Sequence, residues 1–231
     1  MTKFFKALNI LYERLLLIVL ILILLIVMWC MYDNYYVFNH TTDRISGFKP
    51  GETQSTTQVS KEITSEMRAW LSVEGTDIDY PIMQGADNVK YLNTDPFGDY
   101  SLAGSIFLDS RNSPDFSDDY SLVYGHHMEY GRMFGALDPF LEEKYFMSHT
   151  KGTLEIGRTD RDVHTLRVFA VMKASAQDDA VFDPMKNDIR SYLKDHSLYY
   201  LEESDERILG LSTCTEGDSA ARIVVFCYIE D

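Results

Sequence analysis

The hydrophobic pattern of the chain changes abruptly near residue 33. Residues 15–32, with the sequence LLLIVLILILLIVMWCMY, contain no charged side chain, and a run of this size is about the length that a helix needs to cross roughly 30 Å of hydrocarbon. Two lysines and Arg14 precede the run and Asp33 follows it. The positive-inside rule therefore places residues 1–14 in the cytoplasm and the rest of the chain outside the cell, so the pattern predicts a single-pass anchor at residues 15–32.

A polar stretch separates this anchor from a second region of hydrophobic periodicity. Residues 33–55 contain Gly and Pro and show no hydrophobic period, as is typical of a linker. Residues 56–231 are long enough for one globular domain. Apolar residues at intervals of three and four predict an amphipathic helix over residues 55–70 at its start. The residues that set this period are Val59, Ile63, Met67 and Trp70.

Short β-rich runs separated by turn residues fill most of the remaining chain. They are AWLSVEG, IDYPIMQ, GSIFLD, YSLVYGHH, TLEIG, LRVFAVMKA, RILGLST and RIVVFCYIE. About eight strands at this spacing are typical of a barrel or a sandwich. Two helical segments interrupt the pattern, one over residues 133–146 and one over residues 184–201 that Pro184 opens.

Charge and cysteine content exclude several classes of protein. Residues 33–231 carry 18 Lys and Arg against 35 Asp and Glu, a net charge of −17, which argues against nucleic-acid binding. Cys30 lies in the anchor, so Cys214 and Cys227 alone lie beyond it, too few for a disulfide-rich scaffold. These two cysteines could still pair. Alternation along RIVVFCY puts Arg222 and Cys227 on opposite faces, however, so Cys227 points away if Arg222 faces Cys214.

Cys214 lies where an apolar strand gives way to polar residues, and this is the place where a reactive side chain is accessible. The alternative is a small buried hydrophobic residue, the usual role of a lone free cysteine. A nucleophilic thiol needs a basic partner, and His126 and His127 end the strand SLVYGHHM after Gly125, a residue that lets the backbone turn sharply. Arg222 begins another strand, from which a guanidinium can donate to a developing oxyanion.

Together these residues resemble the sortases, the membrane-anchored cysteine transpeptidases of Gram-positive bacteria. The signature of that family corresponds to LSTC at residues 211–214, its arginine to Arg222 in ARIVV, and its histidine strand to VYGHHM. The family histidine directly follows the glycine, which selects His126 over His127. The segments IDYPIMQGADNVKYLN and GSIFLDSRN are similar to the class B branch in particular, and the resemblance covers residues 57–231.

The resemblance implies a mostly β fold, an eight-stranded sortase β-barrel with an N-terminal helix and a helix in the loop before the cysteine strand, preceded by one transmembrane helix. It also implies that Cys214 attacks the carbonyl of a threonine in a pentapeptide sorting signal, giving a thioacyl enzyme that an amine resolves. His126 would transfer the proton and Arg222 would steady the oxyanion. The substrate-binding residues that the resemblance implies are Asn88, Leu92, Tyr124 and Ser212.

The implied partners are surface proteins or pilins that carry a sorting signal, together with lipid II, the peptidoglycan precursor, or a pilin lysine as the amine acceptor. Anchoring to the cell wall and assembly of pili both remain open. We expect no cofactor and no metal, because the acidic loop DSRNSPDFSDDY has Arg111 in place of a calcium ligand and lacks the mid-loop glycine of an EF-hand. Thr215 occupies a position that is acidic in some sortases.

Two other functions remain as alternatives. A papain-like cysteine protease would carry its cysteine early in the chain with the histidine downstream, whereas His126 precedes Cys214 here. A non-catalytic surface-binding barrel would keep the fold but would not need the cysteine, the histidine and the arginine together.

Overall fold

The chain divides into two compact units, residues 1–55 and 56–231. A computed structural model describes residues 2–46, 62–186, 189–215 and 218–231. In the first unit, helix α1 runs over Thr2–Ser46, and its segment Phe4–Asp33 is long and apolar enough to cross a membrane. The helix includes the predicted anchor and continues into the predicted linker, whose last residues lie outside the described part.

The second unit is built around a closed β-barrel. In the described part of the chain its strands are β1 (Met67–Val73), β2 (Asp79–Met83), β3 (Ile106–Leu108), β4 (Tyr120–Tyr124), β5 (Lys151–Ile156), β6 (Asp162–Ser175), β7 (Tyr199–Tyr200), β8 (Arg207–Thr215) and β9 (Asp218–Glu230). Eight of them form a ring in the order β5-β1-β2-β3-β4-β8-β9-β6, which the pairing of β6 with β5 closes. The predicted eight-stranded barrel is therefore confirmed.

Strand directions decide which loops meet at each edge of the barrel. The pairs β2–β3 and β4–β8 are parallel, and the other strand pairs are antiparallel. Because β4 and β8 run in the same direction, the polar residues that follow both strands meet at one edge of the barrel.

The helices of the second unit are shorter than the sequence predicts. Among the residues that the structure describes, they are α2 (Glu143–Ser148), α3 (Asp179–Phe182), α4 (Ile189–His196) and three 3-10 helices at Lys90–Leu92, Glu129–Gly131 and Phe134–Leu141. The helix predicted over residues 133–146 is two pieces, because Glu142 has an extended backbone between the last 3-10 helix and α2.

The helix predicted over residues 184–201 is also wrong in its limits. It begins at Ile189 and ends at His196, and residues 187–188 lie outside the described part. The residues after it are taken up by strand pairing, since Leu198 N donates to Val171 O at 2.8 Å and Leu201 N donates to Phe169 O at 2.9 Å. Pairing with β6 therefore ends the helix and creates β7.

The helix predicted over residues 55–70 is wrong throughout its described part. Residues 62–66 form a loop and a turn, and Met67–Trp70 belong to β1; residues 55–61 lie outside the described part. An interval of four residues is a multiple of the two-residue strand period as well as close to one helical turn. Strand β1 is bonded on both sides, to β2 and to β5, and apolar residues on both of its faces are buried. The hydrophobic pattern therefore could not discriminate between the two structures.

Helices α3 and α4 cover one face of β9. Val181 of α3 and Leu193 of α4 belong to one apolar cluster with Val224 and Phe226. Cys227 is fully buried and lies outside this cluster, which agrees with the predicted alternation of faces. It is a free cysteine.

Candidate active site

Three neighbouring strands bring the predicted catalytic positions to one edge of the barrel. Tyr124 of β4 pairs with Ser212 of β8, and Gly125 N donates to Ser212 O at 3.1 Å, which continues the ladder past the end of β4. His126 and Cys214 each lie two residues beyond that pair. On the other side of β8, Cys214 is the Cα partner of Arg222 in β9.

A cavity of about 280 Å³ lies at this edge. Six of the predicted site residues line it: Asn88, Leu92, Tyr124, His126, Ser212 and Arg222. The structure thus gathers every predicted site side chain that it describes. The seventh, the side chain of Cys214, lies outside the described part, as does that of Thr215, while both backbones belong to β8.

The two histidines point into different surroundings. His126 Nε2 lies 2.7 Å from the backbone carbonyl oxygen of Leu92. Because a carbonyl can only accept, Nε2 carries the proton, and Nδ1 of the neutral ring is the basic nitrogen. His127 Nε2 instead lies 2.7 Å from a carboxylate oxygen of Asp138, and both residues line a separate cavity of about 260 Å³.

Close packing requires a glycine at position 125. Its φ is not among the positive values found for glycines of the described chain, so a left-handed backbone is not the reason for a glycine here. A Cβ added there would lie 2.8 Å from two ring carbons of Phe134, a fully buried residue. The absent side chain lets the aromatic ring pack under the end of β4.

A buried carboxylate holds two of the groove residues. Asp109 Oδ2 accepts from Asn88 Nδ2 and from the Tyr124 hydroxyl, both at 2.9 Å. Arg111 donates to the same carboxylate through Nε at 2.9 Å and Nη2 at 2.8 Å. Burial raises the pKa of Asp109, but the hydrogen bonds from Arg111 and Tyr124 outweigh it and hold that pKa below its ordinary value. Asp109 is therefore an ionised group that fixes the side chains around it.

Ser212 and Arg222 offer polar groups to the cavity. Ser212 is 1% exposed, and its hydroxyl has no hydrogen-bond partner among the described residues, so a peptide in the cavity could satisfy it. The Arg222 side chain is partly buried, and its Nη1 donates to Ala221 O at 3.4 Å. A guanidinium at this place can donate to an oxygen that becomes negative.

Comparison with known proteins identifies the family. The Sortase domain family matches residues 71–230, more than half of the chain. The chain belongs to the sortase family. Family membership implies a transpeptidase enzyme.

The most informative relatives of this sortase are of class B. A sortase B of Listeria monocytogenes is 32% identical over 186 residues, which is 78% of this chain and 75% of the relative. The crystal structure of a Streptococcus pyogenes class B sortase involved in pilus biogenesis is 38% identical, with a TM-score of 0.66 and coverage of 73% of this chain and 94% of that one. A Staphylococcus aureus sortase B–substrate complex is 28% identical, with a TM-score of 0.63 and coverage of 72% and 81%. This sortase is therefore of class B.

Sequence reasoning missed part of the cavity of this sortase. The additional lining residues are Phe107, Gly125, Ala176, Phe182 and Thr213. Sequence reasoning also missed Asp109, although this residue lies in the class B-like segment GSIFLDSRN. The usable signal was the Asp-x-Arg spacing directly after an apolar strand, since a turn there brings both side chains together. In the sequence, Arg111 indicates only that the acidic loop lacks a calcium ligand at that position.

The acidic loop after β3 makes its own hydrogen bonds. Asp118 Oδ2 accepts from Asn112 Nδ2 at 2.8 Å and from Ser113 N at 2.7 Å. Across the described ranges, no group of three or more His, Cys, Asp or Glu side chains is placed to hold a metal ion. The hydrogen bonds of this loop give Asp118 a structural role at a turn.

Proposed function

We propose that this class B sortase cleaves a C-terminal sorting signal after threonine, with Cys214 as the nucleophile, and transfers the new carboxyl end to an amine. The convergence of six predicted side chains on one cavity carries this proposal. The strand register supports this proposal further. Cys214 of β8 is paired with Arg222 of β9 on one side, and it lies level with His126, which follows Gly125, on the other side.

The reaction has two halves. The Cys214 thiol gives its proton to Nδ1 of His126, and the resulting thiolate attacks the threonine carbonyl carbon. The C–N bond then breaks, and the leaving amine takes that proton from His126. The incoming amine then attacks the thioester carbonyl, His126 takes a proton from it, and the thiolate leaves. The hydrogen bond from His126 Nε2 to Leu92 O fixes the ring and leaves Nδ1 as the atom that exchanges the proton.

Stabilisation of the oxyanion in both tetrahedral intermediates is assigned to Arg222, since fixed donors aimed at a developing charge are among the strongest catalytic contributions. Asn88, Leu92, Tyr124 and Ser212 are assigned to binding of the sorting peptide. The Ser212 hydroxyl, buried at the cavity without a described partner, would bond the peptide backbone.

The acceptor is a primary amine, either the amine of lipid II or a pilin lysine. The pilus-biogenesis role of the Streptococcus pyogenes relative supports the lysine. A transfer assay that offers both acceptors to the thioacyl enzyme decides between them, because only the true acceptor should accelerate release.

The enzyme is proposed to be a single-pass membrane protein, with residues 1–14 in the cytoplasm and the catalytic domain outside the cell. The apolar segment Phe4–Asp33 and the positive charges before the uncharged run support this orientation. Protease added to intact protoplasts should remove the barrel; a protected barrel would reverse the orientation.

The central experiment uses the full-length protein in detergent and a panel of fluorogenic sorting pentapeptides. Cys214→Ala should abolish cleavage, whereas Cys227→Ala is the matched control and should retain most of it. The control is expected to stay active because burial raises the pKa of the Cys227 thiol to about 12, so this cysteine is not a thiolate at neutral pH.

Three results would contradict the proposal. Cleavage by Cys214→Ala would show that another group is the nucleophile. Hydrolysis without transfer to any amine would favour a cysteine endopeptidase. No cleavage of any peptide by the wild type, together with peptide binding, would favour a non-catalytic surface-binding barrel.

A further inference from the structure

Asp109 is a completely buried carboxylate that accepts hydrogen bonds from two residues of the cavity lining, Asn88 and Tyr124. It follows β3, its side chain is 0% exposed, and its Oδ1 accepts from Arg111 N as well as Nε, both at 2.9 Å. Its Oδ2 accepts from Asn88, Tyr124 and Arg111. Asn88 is held at its other end too, because its Oδ1 accepts from Ser110 N at 2.7 Å.

Arg111 extends this network to a second wall of the cavity, which Phe182 of α3 lines. While two of its nitrogens bond Asp109, its Nη2 also donates to Phe182 O at 2.7 Å and its Nη1 to Asp183 Oδ1 at 3.3 Å. Phe182 is the last residue of α3 and lines the cavity. One guanidinium thus connects the turn after β3 with a helix that follows it by about 70 positions in sequence.

The geometry of this connection requires arginine. A guanidinium presents five donors in a rigid plane, so it can bond a carboxylate in a bidentate way and still reach a carbonyl on its other edge. A lysine ammonium keeps the positive charge beside Asp109 but is a single point on a flexible chain. It cannot serve the carboxylate and the Phe182 carbonyl with the same fixed geometry.

We propose that Asp109 and Arg111 form a positioning pair that sets the two walls of the substrate groove. The pair acts on the peptide through Asn88 and Tyr124 on one wall and through Phe182 on the other, and it touches no reacting atom. It therefore determines the affinity for the sorting peptide rather than the rate of the chemical step. This inference rests on the proposed function for its substrate, whereas the structural connection stands by itself.

The test compares Arg111→Lys with Arg190→Lys in the full-length protein. Arg190 is the matched control, because its guanidinium also donates to loop carbonyls, those of Ser204 and Asp205, but does not line the cavity. Hydrogen exchange should accelerate in residues 178–186 of Arg111→Lys. The amides concerned include Phe182 N and Asp183 N, which donate to Asp178 O and Asp179 O. Arg190→Lys should leave that segment unchanged.

Peptide kinetics provide the second measurement. Loss of a charge-assisted hydrogen bond in Arg111→Lys should raise KM for the best pentapeptide about tenfold, while kcat stays within about twofold. Asp183→Asn, at a partly exposed side chain, removes the charge that pairs with Arg111 but keeps an oxygen that can accept from Met185 N, so it should shift exchange and KM in the same direction by less. This second variant keeps the test valid if Arg111→Lys unfolds.

Each result decides one claim. Unchanged exchange in residues 178–186 of Arg111→Lys and Asp183→Asn would overturn the structural connection, whatever the activity. Faster exchange with unchanged KM, or a fall in kcat alone, would overturn the role in substrate affinity. A wild type that cleaves no peptide would overturn the proposed function and with it the role in affinity, while hydrogen exchange would still decide the connection between the walls.

Discussion

At the scale of single residues, the paired histidines show how two identical side chains acquire different roles. His126 faces the cavity that Ser212 and Arg222 also line, and a backbone carbonyl fixes its protonated nitrogen. His127 is paired with the Asp138 carboxylate, and its side chain is 10% exposed. Adjacent residues at the end of a strand project to opposite faces, so only one of the two can serve the groove.

His126→Ala should therefore lower kcat by about 10²–10⁴, the usual contribution of a general acid or base. His127→Ala should reduce turnover only partially, because it removes a hydrogen bond to a half-exposed carboxylate and not a proton carrier. The measurement is steady-state cleavage of the best fluorogenic pentapeptide, with circular dichroism to show that both variants fold. Equal and complete losses in the two variants would contradict the assignment of His126.

At the scale of the elements, the end of β4 is positioned by packing. Gly125 lies between the last residue of β4 and His126, and the Phe134 ring fills the space where a side chain would project. Phe134 is fully buried and begins the 3-10 helix that follows the histidines. The direction of the histidine therefore depends on contact between a strand end and a helix.

Gly125→Ala should disturb this contact, because overpacking costs about 1–3 kcal/mol in a close-packed core. We expect the free energy of unfolding to fall by that amount and kcat to fall more than tenfold as His126 is displaced. Gly157→Ala is the control. Gly157 has φ of +99°, and an added Cβ would meet Asp160 O at 2.7 Å, but it lies in the turn after β5, away from the groove lining. Equal loss of kcat in both variants would show a general effect of stability.

At the scale of the whole molecule, the closed barrel removes Cys227 from solvent. Cys227 lies on a strand bonded on both sides, by β6 and β8, and has no exposed surface. Burial alone raises the pKa of its thiol from 9.0 to about 12. The buried thiol therefore stabilises the fold only while it is protonated, so its contribution to the free energy of unfolding depends on pH.

The contribution of Cys227 should be complete below pH 9 and should be lost as the pH rises from 9 towards 12, because the unfolded thiol ionises first. In a Cys30→Ala background, the difference in free energy of unfolding between wild type and Cys227→Ala should shrink by about 1.4 kcal/mol per pH unit above pH 9. Urea unfolding at pH 8, 10 and 11 measures it, and tyrosine ionisation is common to both proteins. A difference that is constant with pH would contradict the burial argument.

Much of the fold could be predicted because strand patterns are local. The runs from AWLSVEG to RIVVFCYIE correspond to eight ring strands, since alternation and turn residues are visible within a few positions. The limits of α4 and the nature of residues 67–70 could not be predicted. They depend on pairing with β6 and with β5, and the energies of these contacts involve partners far along the chain.

The sequence by itself determined the barrel class, the apolar segment near the N-terminus and six of the side chains that line the cavity, because a short motif, a local period or the family resemblance identifies each of them. Only the tertiary structure decided which faces and partners those residues have. It gave His126 and His127 their different partners, gave Gly125 its packing role, and joined Asp109 and Arg111 to α3. The physical reason is that hydrogen bonds and close packing act over a few ångströms in space, and residues about 70 positions apart, such as Arg111 and Phe182, come within that range only after the barrel has closed.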